Sequence, residues 1–173
     1  MIPTATATIG AGEFARRFRP GGPTDAGCRG CPNHGRCWSC PPFADDPFAA
    51  ALEGAGDALV TLAAMTLSGP PGDGKAFEEA RTAMDRWLLE RERECGGRAF
   101  GSGHCRFCGD GGCARIKGEA CRHPELARAS LEACGFDLAA AARELLGIQL
   151  QWGAEARTTC VLGAFITPET KTE

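Results

Sequence analysis

The stretch CRGCPNHGRCWSCPP, residues 28–42, places four cysteines within thirteen positions and ends in two prolines. A helix or a strand would splay ligands that lie so close in sequence, whereas a glycine- and proline-rich segment bends tightly enough to wrap a central atom. We name this segment loop A and predict that it binds a metal. The predicted ligands are Cys28, Cys31, Cys37 and Cys40.

A second group of four cysteines lies further along the chain, in residues 103–124, which we name loop B. Eight of the eleven cysteines of the chain therefore lie in two glycine- and proline-rich loops, a grouping that packing of buried thiols does not require. Cys95, Cys134 and Cys160 lie outside both loops, and the apolar surroundings of Cys160 favour a place in the core. Loop B is predicted to hold a second metal through Cys105, Cys108, Cys113 and Cys121.

Length and composition indicate one globular domain over residues 1–173, with 43% hydrophobic and 24% charged residues. The net charge of −3 gives no electrostatic footprint for nucleic acid, and no apolar run reaches the length of a membrane span. The N-terminus lacks the basic and apolar regions of a signal peptide, so we expect a cytoplasmic protein. Because thiols stay reduced there, so many cysteines favour metal ligation over disulfides.

The remaining sequence predicts an α/β domain, with α+β as the alternative, built on a sheet of a few strands. An apolar run at 57–67 and a second at 157–167 predict strands, and IGAGEFA near the N-terminus predicts a strand, a turn and a helix. Apolar residues at helical spacing predict one long helix over 75–94. Two short helices are also predicted. The first covers 124–134, and the second begins after an N-cap at Asp137 and ends at Gly147.

Thiolate sulfur selects zinc, copper(I) or iron–sulfur clusters. Structural zinc sites usually separate two C-x2-C pairs by about 12–20 residues, whereas loop A reads C-x2-C-x5-C-x2-C and loop B reads C-x2-C-x4-C-x7-C. Tightly grouped cysteines followed by proline are closer to ferredoxin-type loops, although neither spacing equals the bacterial ferredoxin run. We therefore predict one or two iron–sulfur clusters, of the [4Fe–4S] type, with zinc as the alternative. Three histidines also lie within the loops, and we expect them near the metal ligands or at the surface: His34, His104 and His123.

The sequence resembles a family of predicted metal-binding, cysteine-rich proteins, the DUF2284 family. The resemblance rests on CRGCPNHGRCWSCPP and on the later stretch from GSGHCRFC to AAAAREL, and it spans most of residues 28–146. It implies metal binding, with iron–sulfur as the expected form, and no particular reaction. His34 replaces the tyrosine of the family pattern, and Cys37 stands where a non-cysteine is expected. The resemblance thus leaves Cys134 as the alternative fourth ligand of loop A, or an open iron position.

We found no Walker motif, no G-x-S-x-G elbow and no paired carboxylates in the sequence, so no catalytic residue is assigned and enzymatic activity stays undecided. Two closed clusters favour electron transfer with a redox partner protein. The alternatives are a zinc-binding structural or interaction module and an iron–sulfur enzyme with an open iron. Trp38 is expected to shield the loop A site from water.

Overall fold

A computed structural model of the chain describes residues 2–68, 74–151 and 156–168. Its framework is one four-stranded sheet in which every pairing is antiparallel and the strand order is β1-β2-β4-β3. Both central strands are ten residues long, in keeping with the long apolar runs of the sequence. The strands are β1 (Ala5–Gly10), β2 (Leu59–Ser68), β3 (Arg98–Phe100) and β4 (Thr158–Thr167).

Within the described residues, four α-helices connect and cover the strands. Asp137 caps the last of them, accepting a hydrogen bond from the Ala140 amide, and Gly147 ends it with a positive φ of 67°. Among the residues that the structure describes, no helix is long and apolar enough to cross a bilayer. The helices are α1 (Ala11–Phe18), α2 (Pro47–Leu52), α3 (Gly74–Cys95) and α4 (Leu138–Leu146).

Helices lie on both faces of the sheet, so the domain has three layers. An apolar core lies on each face of the sheet. Side chains of β2 alternate between them, since Val60 and Leu62 face one core and Ala63 and Met65 face the other. The larger core joins the sheet to α1, α2 and α4. The smaller core joins it to α3 through residues that include Ala80, Met84, Leu88, Val161 and Phe165.

The structure confirms the mixed α and β fold and most of the elements predicted from sequence. The strands predicted at 57–67 and 157–167 and the helix at 75–94 are present, each within about two residues of the prediction. The strand and the helix predicted at the N-terminus are also present, although the helix follows the strand directly without an intervening turn. Because the sheet is antiparallel, α+β describes it better than a parallel α/β arrangement. The sequence patterns did not predict the short elements α2 and β3.

The helix predicted over 124–134 is wrong, because this segment consists of turns and irregular backbone. Its middle is held by contacts to other parts of the molecule. The Ala129 carbonyl accepts a hydrogen bond from the Gly101 amide at 2.9 Å, and the Arg128 guanidinium pairs with Glu92 on α3. These tertiary interactions replace the local hydrogen bonds that a helix would have made.

Gly97, which joins α3 to β3, is expected to tolerate no side chain. A Cβ atom built at this position would lie 1.8 Å from the Ile166 carbonyl oxygen, in the backbone of the neighbouring strand. Gly97→Ala should therefore lower the free energy of unfolding by about 3 kcal/mol, measured by chemical denaturation. Gly74→Ala is the matched control, since a Cβ there meets open space and alanine favours the helix. Equal denaturation midpoints for the two variants would contradict this reading.

Candidate metal centre

Loop B follows β3 and is fastened to α3 by buried polar side chains. The Arg81 guanidinium, 7% exposed, donates to the carbonyl oxygens of Ser102 and His104 at 2.8 and 3.2 Å. Asp85 accepts hydrogen bonds from the Ser102 amide and hydroxyl, both at 2.9 Å, and pairs with Arg106 at 2.9 Å. The start of loop B is thus held against a rigid helix, which fixes where its first cysteine lies.

A cavity of about 650 Å³ opens between the two loops. All four loop B cysteines line it, and Cys37 is the loop A cysteine among its described lining residues. His104 and His123 also lie on its wall, and the glycines of loop B leave space that side chains would fill. The structure therefore brings the predicted loop B ligands, Cys105, Cys108, Cys113 and Cys121, to one common cavity.

The loop A cysteines are arranged less uniformly. Cys37 and Cys40 are buried, 4% and 8% exposed, and lie next to each other around Ser39. Cys28 is half-buried and Cys31 is exposed, on the turns that precede them. Among the described residues, no three cysteine, histidine or acidic side chains are already arranged around one point as in a preformed metal site. The assignment of eight ligands to two centres therefore stays a prediction.

Arg115 of loop B clamps the end of loop A. Its guanidinium donates to the carbonyl oxygens of Cys37 at 2.9 Å, Cys40 at 2.6 Å and Pro42 at 2.7 Å. The same group lies over the Trp38 ring at 5.0 Å from its centroid. A planar guanidinium suits this role, because its several N–H donors can bind three acceptors at the same time.

Three further hydrogen bonds join the two loops near the sulfur atoms. The Ser39 hydroxyl, in a side chain that is 2% exposed, accepts a hydrogen bond from the Cys105 amide at 2.8 Å. The Trp38 amide donates to the Cys113 sulfur at 3.4 Å, and its indole N–H donates to the Glu119 carbonyl at 3.0 Å. The Trp38 ring thus lies across loop B and is 41% exposed, a different position from the shield over loop A expected from sequence.

The thiols influence one another electrostatically. Hydrogen bonds from Cys40 and Ser39 hold the pKa of Cys37 well below its ordinary value, while the hydrogen bond to Cys37 and burial raise that of Cys40. Burial raises the pKa of Cys105 to about 11, and the nearby Cys37, Cys108 and Cys121 add to this shift. Thiols that resist ionisation in this way bind a metal with release of protons.

Cys134, the alternative fourth ligand for loop A, lies in the larger core with Leu131 and Phe136. Its side chain is 3% exposed, and burial raises the pKa of its thiol to about 12. The charged groups that affect it are Asp46, Arg19 and Glu132, none of them a loop A cysteine. Cys134 also lines a surface pocket with Pro41 and Pro42 at the end of loop A. Cys37 lies beside Cys40 around Ser39, and the choice between Cys37 and Cys134 stays a prediction.

The remaining cysteines and His34 do not line the cavity between the two loops. Cys160 packs against the larger core from β4, as expected, and Cys95 ends α3 in an exposed position. His34 pairs with Asp25 at 2.9 Å on the edge of loop A.

The donor set fits a metal that prefers sulfur. Five thiols face one cavity, and soft thiolates bind zinc or iron–sulfur clusters in preference to magnesium or calcium. The Trp38 amide supplies an N–H···S hydrogen bond, a contact that adjusts the electronic properties of a bound metal.

Sequence reasoning missed Arg115 and Ser39, which join the two loops, and Arg81 and Asp85, which fasten loop B to α3. Arg115 lies 73–78 residues from the carbonyl groups it binds, and no local spacing signals such a contact. Its position inside loop B, two residues after Cys113, is the one sequence feature that could have marked it.

A protein-family model matches most of the chain. Residues 23–166 fit the family model DUF2284, whose description is predicted metal-binding protein. The match includes both cysteine loops, the strands β2 and β3, and all of β4 except its last residue. No curated protein and no solved structure matches the chain.

Proposed function

Because the chain belongs to the DUF2284 family of predicted metal-binding proteins, we propose that it carries iron–sulfur clusters in its cysteine loops and transfers electrons to or from a partner protein. The observation that carries this proposal is the cavity of about 650 Å³ lined by five cysteines. A single zinc ion lies about 2.3 Å from each sulfur and needs no such space. When bound, a cluster supplies one-electron redox chemistry.

The charge distribution of the loops supports an anionic guest. Loops A and B together carry six arginine and lysine residues and two acidic residues, a net charge of +4, although the whole chain has −3. Thiolate-ligated clusters are negatively charged, so this local excess of positive charge stabilises them. The positive residues are Arg29, Arg36, Arg106, Arg115, Lys117 and Arg122.

The exposed surface beside the cavity supports docking of a redox partner. Trp38 and Ile116, 41% and 55% exposed, lie at the cavity wall next to the basic residues of loop B. An apolar patch with a positive rim complements a partner with an acidic face and increases the rate of encounter. A cytoplasmic setting belongs to the same proposal, since reduced thiols are required for cluster assembly.

Anaerobic purification followed by iron, sulfide and zinc analysis tests this function. We expect iron and acid-labile sulfide in near-equal amounts, absorption from thiolate-to-iron charge transfer, and an electron paramagnetic resonance signal after reduction with dithionite. Cys105→Ala combined with Cys108→Ala should remove the loop B share of the iron. Cys95→Ala, on the exposed end of α3, is the matched control and should keep it. Colourless protein with stoichiometric zinc would refute the proposal in favour of a zinc-stabilised interaction module.

A further inference from the structure

We propose that Ser39 is a positioning residue shared by both cysteine loops, and that through it the two loops bind metal as a coupled pair. This inference rests on the proposed function in that both loops hold a thiolate-bound metal. It goes further because it states that occupancy of one loop changes the affinity of the other.

The first step is the position of the Ser39 side chain between the two sets of ligands. Its hydroxyl oxygen lies 3.2 Å from the Cys37 sulfur, 3.9 Å from the Cys40 sulfur and 2.8 Å from the Cys105 amide nitrogen. Cys37 and Cys40 belong to loop A and Cys105 to loop B. One buried hydroxyl therefore contacts predicted ligands of both loops.

The second step concerns the direction of the hydrogen bonds. The Cys105 amide can only donate, so the Ser39 oxygen accepts from it. The hydroxyl proton is then free to be donated to a sulfur, and the Cys37 sulfur is the nearer of the two. A hydroxyl that accepts from one ligand residue and donates to another fixes their separation.

The third step is that the neighbouring residues hold the same segment from loop B. The Trp38 amide donates to the Cys113 sulfur at 3.4 Å, and Arg115 donates to the Cys37 carbonyl at 2.9 Å. Residues 37–39 are thus held by loop B in addition to the bond from the Cys40 amide to the Cys37 carbonyl within loop A. Metal binding that orders loop B will order the Cys37 side of loop A in advance, which lowers the cost of binding there.

Coupling of this kind is reciprocal and has a measurable size. If loop B occupancy raises the metal affinity of loop A by a factor, loop A occupancy must raise that of loop B by the same factor. We expect a factor of about ten, within the usual 5- to 150-fold range of such couplings.

Anaerobic titration of the metal-free full-length chain with Co²⁺ measures the factor, because thiolate-bound cobalt absorbs in the near ultraviolet and chelator competition gives affinity. The Co²⁺ affinity of loop A is measured in the wild type, where loop B holds metal, and in the variant Cys105→Ser/Cys108→Ser, which lacks two predicted loop B ligands. This comparison is repeated with Ser39→Ala and with Ser39→Thr, which keeps the hydroxyl. Ser130→Ala is the matched control, as Ser130 is a buried serine whose hydroxyl bonds to the Ala133 amide.

We expect Ser39→Ala to lower the coupling factor at least threefold, Ser39→Thr to restore it, and Ser130→Ala to leave it unchanged. Circular dichroism checks that each variant retains its helices. Co²⁺ binding to both loops with no coupling, or with the same coupling in Ser39→Ala and Ser130→Ala, would overturn the inference alone. Absence of Co²⁺ binding to wild-type protein would instead refute metal binding itself.

Discussion

Replacing Arg115 with glutamine is expected to weaken metal binding by loop A about 10- to 100-fold, the range found when a residue that orients metal ligands is lost. Three carbonyl oxygens, of Cys37, Cys40 and Pro42, would lose their charged donor. Two of these carbonyls belong to residues that are nearly buried, so the lost hydrogen bonds are not simply replaced by water. Glutamine cannot span all three acceptors, and the end of loop A should separate from loop B.

Lys117→Gln is the matched control for Arg115→Gln, because it removes the same charge from the same loop at an exposed position. Arg115→Lys keeps the charge but not the planar fork and should give an intermediate loss. The measurement is chelator competition against Co²⁺-loaded protein, with thermal unfolding as a check on the sheet and helices. If Arg115→Gln and Lys117→Gln weakened binding equally, the effect would come from net charge and the clamp would have no role.

The elements that could be predicted from sequence are those fixed by local signals. In the long helix α3, apolar residues recur at helical spacing. The helix α4 has a capping side chain at Asp137 and ends at Gly147. The strands β2 and β4 are continuous apolar runs because both of their faces are buried between helices. Such features need no knowledge of the rest of the molecule.

The features that escaped prediction depend on distant partners. The strand β3 has three residues, too few for a periodic pattern, and forms because it pairs with β4. The segment 124–134 has helical composition, but its backbone bonds to Gly101 and its Arg128 reaches α3. The cysteine grouping indicated the candidate site, whereas the docking of loop A on loop B through Ser39 and Arg115 depends on tertiary contacts.

The position of Cys37 within the candidate site also depends on residues that are distant in sequence. Spacing alone assigns it to loop A with Cys40. In the folded chain it also lines the loop B cavity and lies 3.8 Å from the Cys105 carbonyl oxygen. Sequence order therefore identifies the ligand candidates but does not separate them into two independent sets.

Glu92 and Arg128 form the ion pair that fastens the segment after loop B to α3. Their side chains are 14% and 9% exposed, Arg128 donates to both carboxylate oxygens, and the Ala99 amide donates to the same carboxylate at 2.6 Å. Removing one partner of a buried pair leaves the other charge uncompensated, a loss of about 3–5 kcal/mol. We expect Glu92→Gln to lower the free energy of unfolding at pH 7 by about 3 kcal/mol, at the low end because the pair is not fully buried.

The pH dependence of this loss has a definite sign. Burial alone would raise the pKa of Glu92, but the hydrogen bonds from Arg128 and Ala99 outweigh it, so the folded pKa lies below the ordinary value of 4.5. The stabilisation is therefore complete above about pH 4.5 and disappears as the pH falls through the folded pKa. Urea denaturation at several pH values should show the difference between wild type and Glu92→Gln shrinking in acid. Glu94→Gln, which breaks the exposed pair with Arg91, should cost no more than about 0.5 kcal/mol, and an equal loss in both variants at pH 7 would show that Glu92 does not anchor the fold.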